Sequence, residues 1–147
     1  MKILLATDGS ECSELAVEEV ARKKWPPGSS VRVVSVIELN AVVAAVPEAC
    51  TPAQEFCEEA GWEAREAAER AAAKLRRAAK SPLAVESYVC AGYPCEVIIE
   101  EAEAWGADLI VVGSHGRGFT GRLLHGSTSH EIATRANCEV RVVTRRD

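Results

Sequence analysis

Apolar and polar positions alternate along this chain in blocks of two kinds. Short β-branched runs recur at Lys2 to Thr7, Ser30 to Ile37, Leu83 to Val89, Asp108 to Gly113 and Glu139 to Thr144. Between them lie longer stretches with apolar residues three and four apart. The first runs from Ser10 to about Trp25, carrying Leu15, Ala16, Val20 and Ala21 on one face. The second runs from Thr51 to about Lys80 with Ala67, Ala68, Ala71, Ala72 and Leu75, the third from Pro94 to Trp105 with Val97, Ile98 and Ala102, and the fourth from Ser127 to about Ala136. These spacings predict five strands alternating with four helices. Ser10 is the expected cap of the first helix. Thr51 is expected to cap the second, with Pro52 at its first position and Gln54 closing a capping box. Gly106 is the expected C-terminal stop of the third.

Continuous apolar strands separated by helices imply a parallel sheet covered on both faces. The predicted fold class is therefore α/β, a five-stranded parallel sheet with helices on both faces in a single domain spanning 1–147. Ligands of such sheets bind beyond the carboxyl ends of the strands, where the winding reverses. Strand one ends in Thr7-Asp8-Gly9-Ser10 and strand four in Gly113-Ser114-His115-Gly116, whereas strand three ends in Cys90-Ala91-Gly92 and offers nothing polar. Strands one and four are thus the expected neighbours, giving the order 3-2-1-4-5.

The richest stretch is Asp108 to Thr128. A buried strand leads into a loop holding Gly113, Gly116, Gly118, Gly121 and Gly126, which ends in Ser127-Thr128-Ser129 at the start of a helix. Glycines let a backbone approach an anion closely, and the unpaired N–H groups of a helix's first turn point at it. A dinucleotide fingerprint is absent after strand one. Gly116-x4-Gly121 has the spacing of a P-loop, but Arg122-Leu123 stand where Lys-Ser/Thr is required. What remains is Gly113-x2-Gly116-x9-Gly126-Ser127.

That motif resembles the G-x2-G-x9-G-S/T signature of ATP-binding members of the universal stress protein family. The resemblance spans the chain, including the opening strand that ends in Asp8, the Gly92-x-Pro94 turn, the Ala107–Gly113 strand and the closing Cys138-x-Val140-x-Val142-Val143. It implies an adenine nucleotide alpha hydrolase-like fold and a regulatory ATP-binding module of the stress response, with ADP or AMP as alternatives to ATP. Ala6, Thr7 and Asp8 would then lie at the ribose and adenine side, Asp8 accepting from a sugar hydroxyl. Val36 would offer its backbone to adenine. Val112, Gly113, His115 and Gly116 would line the ribose and phosphates, and Gly126, Ser127, Thr128 and Ser129 would hold the phosphates. The resemblance also implies a homodimer in which two last strands pair. That last strand is a sheet edge with an apolar run, a hazard unless covered.

Each feature also has a plainer reading. Thr128-x-x-Glu131 is itself a capping box. Asp8 could serve only its own turn. Arg117 and Arg122 could clamp phosphates or be solvated. His125 and His130, five apart, do not stack as metal ligands on one helix face, so no metal site is expected, and the sequence does not indicate Mg2+. No residue set is arranged for efficient catalysis, so no catalytic residue is assigned and slow ATP hydrolysis is the most that is expected. The competing functions are a dimeric interaction module that binds no nucleotide and a true ATPase or nucleotidyl transferase using Asp8 or His115. The segment from Asn40 to Pro47 would fold over the nucleotide as a lid.

Charge and cysteine usage narrow the picture. With a net charge of −5 the chain lacks the basic surface that nucleic-acid binding needs. No run approaches a membrane span, and the start is too short for an export signal, so neither a nucleic-acid nor a membrane partner is expected and the expected location is cytoplasmic. Six cysteines, Cys12, Cys50, Cys57, Cys90, Cys95 and Cys138, include no CxxC pair. They are expected to be reduced, small and mostly buried, with a redox role left open at Cys50 and Cys57.

Overall fold

A computed structural model of the chain describes residues 1–38, 50–115 and 126–145, apart from the side chain of Ala60. Strand β1 (Lys2–Ala6) is followed by helix α1 (Glu11–Arg22), β2 (Ser30–Glu38), β3 (Thr51–Pro52) and α2 (Trp62–Ala78). Then come β4 (Ala84–Gly92), α3 (Pro94–Trp105), β5 (Leu109–Gly113), α4 (Ser127–Arg135) and β6 (Glu139–Val143). The sheet order is β3-β4-β2-β1-β5-β6, and every pairing is parallel except β3 with β4. The five predicted strands thus stand in the predicted order, with a sixth, antiparallel strand added outside the third.

Alternation along the strands divides the core. Ile3, Leu5, Val31, Val33, Leu109 and Val111 face α1 and α2. Leu4, Val34, Ile110 and Val112 face α3 and α4, where Ile98 and Ile132 meet them. Both sets are buried. This double cover is why the strands read as continuous apolar runs rather than alternating ones. Among the described residues no helix is long and apolar enough to cross a membrane.

Two sequence expectations fail together at Cys50 to Gln54. Cys50 is bonded to Cys90 as a disulfide, not held as a thiol. Thr51 and Pro52 lie extended beside Val89 and Tyr88 of β4 instead of capping a helix. Residues Ala53–Glu55 form a single 3-10 turn, and α2 begins only at Trp62, after Gly61. The side-chain tie and the open edge of β4 override the local capping signal. The apolar stripe of α2, from Ala67 to Leu75, is buried as expected.

The β4 side of the α3 face carries an ionic cluster instead of a purely apolar one. Arg32 of β2 reaches Glu86 at 2.7 Å and Glu101 of α3 at 2.6 Å, and its guanidinium lies over the rings of Tyr88 and Trp105 at 4.4 and 4.7 Å. Burial pulls the Arg32 pKa down, but the hydrogen bonds to Glu86 and Glu101 outweigh it, and the net shift is upward. This charge stays on at any working pH. Elsewhere, burial pushes the thiols of Cys95 and Cys138 up, so both persist as protonated, poorly nucleophilic groups near neutrality.

Candidate functional site

The carboxyl ends of β2, β1 and β5 lie side by side where the winding changes direction. β2 outruns β1: the register pairs Ala6 with Val34, and the N–H of Thr7 donates to the Val34 carbonyl at 2.9 Å. Backbone groups on a strand point to alternate neighbours, so those of Val36 share the side of Val34. They project where β1 has no residue left to oppose them. Val36 is half-buried and packs on the same apolar cluster as Ala6 and Val112. A planar, apolar group with hydrogen-bonding edges fits such a strand end.

The turn after β1 is built by its own polar atoms. The Thr7 hydroxyl is buried, donates to Ser13 Oγ at 3.1 Å and accepts from the Gly9 N–H at 3.3 Å. It therefore helps to fix the turn. The Asp8 carboxylate accepts from the Ser10 N–H at 2.9 Å, a bond within the turn. Gly9 has φ of 78°, which a side chain would resist. Ser10 caps α1 as expected, accepting from the Ser13 N–H at 3.3 Å.

The second wall is the turn after β5, and it is stitched to the first. Ser10 Oγ donates to the carbonyl of His115 at 3.3 Å. Cys12, in the first turn of α1, has its sulfur 4.0 Å from His115 Nδ1 and receives the Ser114 hydroxyl at 3.8 Å. Ser114 Oγ stands 3.0 Å from the same ring nitrogen. Cys12 and Ser114 did not stand out in the sequence, because their meeting depends on β1 and β5 being neighbours.

The third wall is the start of α4. The N–H of Gly126 donates to the Ser114 carbonyl at 2.5 Å, bringing the far end of the glycine loop back onto β5. Ser129 is buried, and its hydroxyl hydrogen is shared between the carbonyls of Ser114 and Gly126 at 3.1 and 3.0 Å. It joins the two segments. Gly126 itself is the N-cap of α4 and among the described residues no side chain caps the helix, so Thr128 does not stand where the Thr128-x-x-Glu131 capping box would need it. The first-turn N–H groups at Ser127 and Thr128 consequently have no intrahelical carbonyl to bond. Ser127 is exposed and Thr128 half-buried.

Gly113 and Gly126 are required for a reason other than ligand approach. A Cβ on Gly113 would stand 2.6 Å from the Cys12 carbonyl carbon, and one on Gly126 would stand 2.6 Å from the Ser114 oxygen. They let α1 and α4 close onto the end of β5. Gly116, Gly118, Gly121, Arg117, Arg122 and His125 lie outside the described residues, as does the Asn40 to Pro47 segment. Among the described residues no three His, Cys, Asp or Glu side chains converge as metal ligands.

Comparison with known proteins shows the fold and the family. A universal stress protein from Thermus aquaticus is 32% identical over 96% of both chains. The solved structure of the Methanocaldococcus jannaschii protein MJ0577 superposes with a TM-score of 0.77 at 29% identity, covering 99% of this chain and 96% of that one. The fold also matches an Archaeoglobus fulgidus universal stress protein solved in complex with dAMP, with a TM-score of 0.65 at 22% identity and 97% coverage of each chain. The family model for universal stress proteins matches residues 1–144, and the chain belongs to the universal stress protein family.

Proposed function

We propose that the crevice between β2, β1 and β5 binds an adenine nucleotide, ATP by preference, and that the protein is a regulatory module of the stress response rather than an efficient catalyst. The observation that carries this reading is the convergence of three unlike groups. They are a free-running β2 edge at Val36 for a base, the Asp8 turn for a sugar, and the uncapped α4 N-terminus beside Gly126 for phosphates. The dAMP bound by the Archaeoglobus fulgidus relative supports the same ligand class here. Ala6, Val112, Gly113 and His115 line the route between base and phosphate. Gly116 belongs to the same proposed set through the motif alone.

The discriminating variant is Ser127→Glu. A carboxylate at the first helical position favours α4 through the helix dipole, by about 0.3–1 kcal/mol. In the same place it repels a phosphate. Calorimetric titration is expected to show ATP affinity reduced by more than about tenfold, or about 1.4 kcal/mol, with melting temperature unchanged or raised. Equal affinity in the variant and the parent would remove α4 from the phosphate site. Nucleotide is also expected to slow alkylation of Cys12, which lies at the His115 wall, without slowing alkylation of the exposed Cys57.

We also propose that β6, which ends the sheet, pairs with its copy in a second chain. Val140 and Val142 are half-buried along this edge. Exposed strand edges with apolar side chains recruit partners, and a like-with-like pairing gives a twofold dimer. Light scattering at micromolar concentration is expected to return twice the chain mass of 15.7 kDa. A monomer there would exclude this pairing.

A further inference from the structure

The Cys50–Cys90 disulfide stands apart from the phosphate walls, and its setting is unequal on the two sides. Cys90 is 2% exposed and lies in β4 directly beside Val36 of β2. Cys50 is half-buried and opens onto a groove of about 620 Å³, whose other walls include Arg32, Tyr88, Val97, Glu101 and Trp105. Of the two cysteines, Cys50 lines this groove and Cys90 does not. Cys50 packs on the same apolar cluster as Ala6 and Val36. The bridge is therefore part of the wall behind the proposed base position.

What the bridge holds in place is otherwise weakly fastened. β3 is two residues long, and one of them, Pro52, has no N–H to give to β4. Beyond it, Phe56 is half-buried against the core with its carbonyl accepting from Arg65, and Cys57 is exposed. Ala53 is the buried anchor of this stretch, and it contributes a single methyl group. A short edge strand of this kind has little protection against local opening once a covalent tie is cut.

We propose that Cys50–Cys90 is a reversible redox-modification site at which a dithiol reductant, entering by the Arg32–Trp105 groove, releases β3 from β4 and weakens nucleotide binding. The effect on binding rests on the nucleotide reading above; the release of the edge does not. A thiolate of the reductant attacks Cys50 Sγ. The S–S bond breaks, Cys90 leaves as a thiolate, and it takes a proton from solvent. The reductant's second thiolate then attacks its own sulfur in the mixed disulfide and expels Cys50, which is protonated in turn. Two electrons pass to the protein, and the reductant departs as a disulfide. Re-formation runs the same steps backwards, with a dithiol oxidant in its disulfide form as electron acceptor.

The test compares the purified full chain, oxidised and reduced with dithiothreitol, the state being verified by the mass gain of two hydrogens. Hydrogen exchange is read on peptides covering Thr51–Phe56 and Tyr88–Gly92, and ATP affinity by calorimetry. Reduction is expected to accelerate exchange in those two segments and to weaken ATP about tenfold, with both reversed by oxidised glutathione once the dithiothreitol is removed. Cys50→Ser should behave as the reduced protein, and Cys57→Ser as the parent. Unchanged exchange at β3 and β4 in fully reduced protein overturns the inference, whatever the nucleotide does. So does a purified protein in which no such disulfide forms under oxidised glutathione. Faster edge exchange with ATP affinity unaltered removes the link to the nucleotide. Faster edge exchange with no ATP bound in either state removes the nucleotide reading and leaves the redox site standing.

Discussion

Gly113→Ala is expected to lower folding stability by about 3 kcal/mol, the upper part of the range for forcing extra atoms into a packed site. The new methyl would stand 2.6 Å from the carbonyl carbon of Cys12, 2.7 Å from its oxygen and 2.8 Å from the N–H nitrogen of Ser13. All three are backbone atoms in the first turn of α1, so no side chain can swing aside. Relief requires α1 to lift from β5, and α1 buries Ala16, Val17 and Val20 against the sheet. Gly126→Ala meets one backbone oxygen, that of Ser114, at 2.6 Å, and the next atoms lie 3.4 Å or more away. It is expected to cost about 1 kcal/mol of stability. It should cost more in nucleotide affinity, because it shifts the start of α4. Urea denaturation and ATP titration on the two variants check the split. A Gly113→Ala protein within about 0.5 kcal/mol of the parent would mean that the α1–β5 contact yields readily.

The contrast between these glycines and their neighbours shows what the sequence could disclose. β1, β2 and β5 were readable because both of their faces are covered, so apolar residues follow one another along their central positions. Ser10 and the Gly106 stop were readable because a cap is a local device, satisfied within one turn. The proposed site is a neighbourhood of element ends for a related reason: Asp8 follows β1, Gly113 ends β5 and Gly126 directly precedes α4. The roles inside it were less readable. Ser129 looked like one more phosphate hydroxyl, yet its direction is set by the Ser114 carbonyl fifteen residues earlier. Thr51-Pro52-x-Gln54 carried a sound helix-start signal and was overruled by a bond to a residue in another strand. Spacing along the chain cannot disclose such a bond, because it depends on where β4 lies.

Cleaving that bond is expected to cost about 3–4 kcal/mol in global stability and about 10 °C in melting temperature. The two cysteines are 40 residues apart, and the loop they close contains the whole of α2. Closing a loop of that length mainly restricts the unfolded chain, and the chain-entropy relation puts the restriction at about 4 kcal/mol. The native contacts of α2, with Ala67, Ala68, Ala71, Ala72 and Leu75 buried, do not involve the sulfur atoms and should survive reduction. Because the main effect falls on the unfolded state, a specific signature follows. The reduced unfolded chain is more expanded and exposes more surface, so the denaturant m-value should rise as the midpoint falls. Urea unfolding of oxidised protein against Cys50→Ser/Cys90→Ser measures both quantities. A lower midpoint with an unchanged m-value would move the cost into the native state, to the β3 edge and the wall beside Val36. An unchanged midpoint would show that the bridge constrains neither state.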